Sequence, residues 1–253
     1  MVLSLDRWVN KIAIVTGVSA GIGAAIAEKL VQEGIIVVGV ARRIEMVQEM
    51  SERLKNCKGK LIPFKADLTK EKEILAIFDF VETKLGPIHI LINNAGITKN
   101  TNLSNGETSK WKEILDTNVL APCITTREAI KIMKSHSIEG QIIHISSVLG
   151  HYVAHIPNLN LYPASKFAIR ALTETLRQEF LAENVPIRVC TISPGPTDTE
   201  INKIDLESSF DKVFDAMPKL NAEDVADAVV YVLSTPHHVQ IQDIMMRPLG
   251  EPV

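Results

Sequence analysis

Tyr162 and Lys166 stand four residues apart in a stretch with helical patterning, so their side chains share one face. A phenol titrates near 10 when unperturbed, and a neighbouring ammonium favours the phenolate and lowers that value. The pair therefore points to an acid/base group working near neutral pH. Ser147 lies 15 positions upstream of Tyr162, just past an apolar run at 141–145. Its hydroxyl can donate to a carbonyl or alkoxide oxygen as charge develops there. Asn118, in another helical stretch, can hold a water that relays protons to Lys166. A Tyr and a Lys at this spacing also occur by chance on helix surfaces, so their meaning depends on what else the chain carries.

It carries a phosphate-type loop. Thr16-Gly17-Val18-Ser19-Ala20-Gly21-Ile22-Gly23 follows the first apolar run and opens a helical stretch at once. Glycines permit a tight turn and let a phosphate approach the backbone, and the helix start offers free N–H groups. A glycine-rich loop alone could be a mere turn; its place between a strand and a helix favours Gly17, Ser19, Ala20, Gly21, Ile22 and Gly23 as cofactor contacts. NAD sites commonly carry an acid after the second strand, about 20 residues past the glycines. Here no Asp or Glu stands at 40–43; Arg42 and Arg43 do. Guanidinium groups suit a 2′-phosphate, so NADP is favoured over NAD. Asp67 and Leu68 follow the third apolar run, near the expected adenine. Asn94 and Gly96, in Asn93-Asn94-Ala95-Gly96, offer small residues where the ribose would pass.

These groups need a frame that brings distant segments together. Ile- and Val-rich runs at 12–15, 35–40, 61–64, 88–92, 141–145 and 187–192 read as buried parallel strands. Helical stretches at 22–33, 44–55, 70–85, 111–135 and 163–183 alternate with them, and a last helix at 222–234 precedes a strand at 241–246. The alternation predicts an α/β fold: one Rossmann-type, doubly wound parallel sheet with helices on both faces. Residues 1–253 are expected to form one dinucleotide-binding and catalytic domain, with surface insertions at 100–109 and 202–217 and a substrate lid over 199–217.

Composition narrows the classes. The 253 residues are 46% hydrophobic and 23% charged, with net charge −3, which excludes a disordered or fibrous chain and gives no basic face for nucleic acid. Three widely spaced cysteines form no CxxC pair, so neither a disulfide framework nor a zinc knuckle is expected. No signal peptide or membrane span is visible, and a reducing, cytoplasmic setting is expected. His151 and His155 lack a third ligand nearby, so no metal is expected.

Taken together, TGVSAGIG at 16–23, Asp67, NNAG at 93–96, Asn118, Ser146-Ser147, YPASK at 162–166 and PGPTDT at 194–199 resemble the short-chain dehydrogenase/reductase family in motif and order along nearly the whole chain. The resemblance implies a catalytic tetrad of Asn118, Ser147, Tyr162 and Lys166. It implies that Tyr162, Lys166, Pro194 and Gly195 also touch the cofactor, and that Thr197 and Thr199 touch the nicotinamide carboxamide. RWVNKIAIVTG near the start and VLSTP and VQIQDIMMRP near the end look like an NADP-dependent subgroup that includes insect farnesol dehydrogenases and an animal enzyme acting on ketosteroids and other carbonyls. Two departures stand out. The gap from Ser147 to Tyr162 is about two residues longer than the family usually has, which implies a longer loop at 151–161. Thr197 stands where the family often has Val or Ile.

Apolar residues at Tyr152, Val153, Ile156, Leu159 and Leu161, and at Ile201, Ile204, Leu206, Phe210, Val213 and Phe214, suggest an oily substrate wall and lid, unless they pack the domain or a subunit contact. The expected reaction is hydride transfer between NADP(H) and an apolar alcohol or carbonyl such as a farnesol-like isoprenoid, a retinoid or a steroid. A carbonyl reductase of broad range, and a non-catalytic NADPH-sensing protein, are the alternatives. The complete Ser147, Tyr162 and Lys166 set speaks against the sensor, which needs no proton relay. The resemblance also implies a homodimer or homotetramer built on the helices at 111–135 and 162–183.

Overall fold

The computed structural model describes residues 3–155, 159, 161–200 and 217–251. Seven strands, β1 (Ile12–Thr16), β2 (Ile36–Ala41), β3 (Lys60–Lys65), β4 (Ile88–Asn93), β5 (Gln141–Ile145), β6 (Arg188–Pro194) and β7 (Asp243–Met246), form one sheet in the order β3-β2-β1-β4-β5-β6-β7. Every pairing is parallel. The chain winds outward from β1 in one direction and then from β4 in the other. The reversal opens a crevice at the carboxyl ends of β1 and β4, where such sheets bind ligands.

Continuous apolar runs are explained by burial on both faces. Within β1, Ala13 and Val15 join one core while Ile12 and Ile14 join the other. The first core packs under α1 (Gly21–Gln32), α2 (Ile44–Arg53) and α7 (Ala222–Ser234) through Ile26, Leu30, Val47 and Val229. The second packs under α3 (Glu71–Lys84), α5 (Ala121–Ser135) and α6 (Leu161–Glu183) through Ile74, Phe78, Ile132 and Phe180. β3 sits at an edge, which tolerates Pro63 with its missing N–H.

The uninterrupted helix expected over 111–135 is broken into three parts. α4 spans Thr108–Leu115, a π-helical turn spans Asp116–Leu120, and α5 begins at Ala121. Pro122 is the cause. It has no N–H to return to the carbonyl of Asn118, four residues back, and its ring would press on that carbonyl. The helix widens instead, and the Ala121 N–H donates to the Asp116 carbonyl. Other boundaries move by one or two residues: the last strands run Arg188–Pro194 and Asp243–Met246. Of the expected lid, 201–216 lies outside the described residues, as do 156–158 and 160 of the loop after β5. Among the described residues, no helix is long and apolar enough to cross a membrane.

Candidate active site

A cavity of about 1200 Å³ runs along the carboxyl edge of the sheet, lined by residues that follow each of β1 to β6. At one end lies the glycine loop. Gly17 and Gly21 adopt left-handed φ angles of 73° and 57°, where a side chain would be strained. A Cβ on Gly23 would collide with the Gly17 carbonyl oxygen and the Asn94 amide nitrogen. Asn94 fixes this loop: its Nδ2 donates to the carbonyls of Thr16 (2.9 Å) and Gly17 (3.2 Å). Thr16 Oγ1 in turn accepts from the backbone N–H groups of Asn94 and Ala95. Ala20 occupies the N-cap of α1 and, among the described residues, no side chain caps that helix, so its first turn, where Ile22 and Gly23 line the cavity, offers uncapped N–H groups to an anion.

Next to the loop, Arg43 donates from Nε and Nη2 to Ser19 Oγ (3.3 and 3.1 Å) and pairs with Glu200 at 2.7 Å. Among the described residues, no hydrogen bond or ion pair holds Arg42; its charge favours the nearby Asp67 carboxylate. Partial burial works against the charge of Asp67, but hydrogen bonds from Thr69 and the cations Lys70 and Arg42 keep its carboxyl below the usual range. Leu68 lines the cavity beside it while packing on the second core.

At the other end, Ser147 follows β5 and caps a short 3-10 turn, Val148–Gly150, accepting from Leu149 N at 3.1 Å. Its hydroxyl also hydrogen-bonds the Tyr162 phenol. Tyr162 and Lys166 lie on the first turns of α6, and the Lys166 Nζ sits 5.5 Å from the Tyr162 ring centre. Lys166 Nζ donates to the Ile145 carbonyl at 2.9 Å. Asn118 is buried behind this wall and does not line the cavity. Its side chain pairs with the backbone of Ile97, accepting from N and donating to O at 2.8 Å each, and donates to Ser165 Oγ at 3.1 Å. Ser165 Oγ donates to the Tyr162 carbonyl at 2.7 Å, so Asn118 braces the start of α6. Gly96 lies beneath both: a Cβ there would stand 3.6 Å from Asn118 Oδ1 and from Lys166 Nζ. Pro194, at the end of β6, and Gly195, Thr197 and Thr199 after it line the cavity, and Thr199 packs its methyl against Gly21.

A glycine cradle, an uncapped helix start and a proton-carrying group on one cavity fit a dinucleotide and a small substrate side by side. Comparison with known proteins agrees. A family model described as short chain dehydrogenase matches residues 11–208. The chain belongs to the short-chain dehydrogenase family. It is 43% identical to farnesol dehydrogenase of Aedes aegypti over 98% of this chain and 99% of that protein. It is also 43% identical to dehydrogenase/reductase SDR family member 11 of Homo sapiens, over 96% of each. Among solved structures, the closed form of a serine dehydrogenase complexed with NADP+ matches with a TM-score of 0.85 at 27% identity, covering 96% of each chain. As a short-chain dehydrogenase, the chain is an alcohol dehydrogenase or carbonyl reductase working with a nicotinamide cofactor.

For this short-chain dehydrogenase one electrostatic expectation needs correction. Desolvation pushes the Tyr162 phenol up to about 12, although the Ser147 hydrogen bond pulls it down. Desolvation also pushes the buried Lys166 ammonium down to about 8. Burial sets the direction of both shifts. Three contributors lie outside the residues that the motifs single out. Ser165, between Tyr162 and Lys166, ties Asn118 to α6. His144 under the site is held neutral, its pKa lowered by burial to about 4, with Nδ1 3.2 Å from Asn93 Nδ2. Glu200 reaches Arg43 from 157 residues away. At the substrate wall, Tyr152, Val153 and Leu159 line the cavity as expected, and the Arg247 guanidinium stacks over the Tyr152 ring at 5.0 Å. Leu161 begins α6 and does not line it; Ile156 and the expected lid residues from Ile201 to Phe214 lie outside the described residues. His151 pairs with Asp243 at 3.2 Å.

Proposed function

We propose that this chain transfers hydride between NADP(H) and a small apolar alcohol or carbonyl, with residues 1–253 acting as one cofactor-binding and catalytic unit. The observation that carries the reading is a single cavity lined at one end by Ser19, Arg42 and Arg43 and at the other by Ser147, Tyr162 and Lys166. Arginines, with no acid at the end of β2, support NADP. The wall formed by Tyr152, Val153, Leu149 and Leu159 supports an apolar substrate, and the relative named farnesol dehydrogenase supports an isoprenoid alcohol among retinoid and steroid candidates.

The bound nicotinamide supplies or accepts the hydride. The protein supplies the rest. Ser147 donates to the substrate oxygen and holds it beside the phenol. Tyr162, which keeps its proton at neutral pH, gives that proton to the oxygen as a carbonyl is reduced and takes it back when an alcohol is oxidised. Lys166 remains charged below about pH 8 and favours negative charge on the phenol oxygen once the proton leaves. Asn118 and Ser165 fix the backbone that carries Tyr162.

We place the chain in the cytoplasm, consistent with free Cys57, Cys123 and Cys190. We further propose a homodimer or homotetramer. Leu120 is exposed at the end of the π turn, and Phe167 and Leu172 on α6, supporting a second copy there, whereas Ile124, Ile130 and Leu176 pack on the sheet. A panel of isoprenoid, retinoid and steroid alcohols and carbonyls, run with NADP(H) and NAD(H) in both directions, tests the reading. Turnover of apolar members with NADP(H) is expected. Preference for NAD(H), or for charged substrates, would overturn it, and equal rates across the panel would mark a broad carbonyl reductase.

A further inference from the structure

The end of β2 carries arginines and no acid, yet the fold brings a carboxylate to the same place. Glu200 follows the turn after β6. Its Oε2 lies 2.7 Å from Arg43 Nη2, on the guanidinium that also donates to Ser19 Oγ. The preceding residue, Thr199, packs on the glycine loop: a Cβ on Gly21 would stand 3.0 Å from its Cγ2. The stretch 199–200 therefore arches over the loop and closes on Arg43. Ser19, Arg43, Thr199 and Glu200 all line the one cavity.

A phosphate monoester carries close to two negative charges and takes a guanidinium by paired hydrogen bonds. It cannot share Arg43 with a carboxylate without like-charge repulsion. Both side chains of the pair are about half exposed, 52% and 50%, so the bridge is weak enough to be displaced. A ribose without the phosphate leaves it closed. We propose that Glu200 is a specificity-determining residue: it competes for Arg43, yields to a 2′-phosphate, and so sets how strongly the protein separates NADP(H) from NAD(H). This rests on the reading that the arginines receive that phosphate.

The test is direct binding. Dissociation constants for NADPH, NADH and the fragment 2′,5′-ADP are measured by titration on wild type, Glu200→Gln, Arg43→Gln and the double variant, with Glu200→Ala as a second removal of the charge. Loss of the competitor should tighten NADPH and 2′,5′-ADP about three- to fivefold, leave NADH within about twofold, and have no effect where Arg43 is already Gln. Equal shifts for NADPH and NADH, a gain that persists without Arg43, or no shift at all would overturn the proposal. Failure of the underlying reading looks different: Arg43→Gln would then leave the NADPH-to-NADH ratio unaltered, or the wild type would bind NADH more tightly.

Discussion

The two ends of the cavity use charge in opposite ways. At the phosphate end, Arg42, Arg43 and Glu200 are exposed, and water screens every interaction they make. At the reacting end, Lys166 is buried and Tyr162 is half-buried on the cavity wall, and desolvation moves both titrations, in opposite directions. Recognition of the phosphate is therefore a sum of modest terms, whereas proton transfer depends on two groups whose protonation the fold controls. Substitutions at the reacting end should change the chemistry by orders of magnitude, and those at the phosphate end should change selectivity by small factors.

The largest effect is expected from Tyr162→Phe. It removes the proton carrier and leaves the ring, so kcat/KM should fall by about 10²–10⁴-fold while the cofactor dissociation constant moves little. Steady-state rates and a binding titration on one preparation check this. Turnover within tenfold of wild type would erase the contrast between the two ends, because the phenol would then be a wall residue.

Lys166→Met sharpens the same point through stability. In the folded chain the ammonium titrates at about 8, below its unfolded value of 10.5. Below pH 8 both states hold the proton and the folded state bears the full cost of burying it. Between pH 8 and 10.5 only the unfolded state is protonated, so wild-type stability should rise with pH across that window, by about 3 kcal/mol in all. The methionine variant should lack this rise and be as stable as wild type or more so at pH 7, less the lost bond to the Ile145 carbonyl, and it should be inactive. Above pH 10 the raised Tyr162 titration acts the other way, because only the unfolded state then ionises. Denaturant unfolding of both proteins from pH 7 to 10 checks the slope; parallel curves would mean that Lys166 is not desolvated.

Much of this was legible from sequence because the physical signals are local. The β1 run is apolar without alternation since both its faces are covered, and the glycines at 17, 21 and 23 stand where side chains would strain or collide. What escaped depends on long-range placement. The patterning predicts a straight helix around Asn118. Pro122 opens a π turn there, and the amide bonds to Ile97 and Ser165. The direction of the Tyr162 shift could not be inferred from a Tyr–Lys spacing, because the spacing says nothing of desolvation. The acid missing from the end of β2 arrives from beyond β6, a pairing no local window contains.

Gly23→Ala probes the glycine loop of the phosphate end. The added methyl meets the Gly17 carbonyl and the Asn94 amide, neither of which can yield without moving the loop. Overpacking of this kind costs roughly 1–3 kcal/mol. The variant should melt earlier and bind NADPH and NADH equally poorly, since the loop serves the part of the cofactor that both share. Unequal losses would assign the glycine loop to the 2′-phosphate rather than to the pyrophosphate.

The smallest effect, and the one that most directly divides the two ends, belongs to Arg42→Ala. The guanidinium is exposed and, among the described residues, unpaired, so removing it costs the fold almost nothing. A charge-assisted contact to a phosphate, discounted for screening, is worth on the order of 1 kcal/mol. NADPH should therefore bind about five- to tenfold more weakly, NADH within about twofold of wild type, and the difference should shrink as salt is raised. Saturating cofactor should restore kcat in full, because Arg42 touches nothing at the reacting end. A lasting drop in kcat would mean that the exposed and the buried charges act as one coupled network, and the division between the two ends of the cavity would fail.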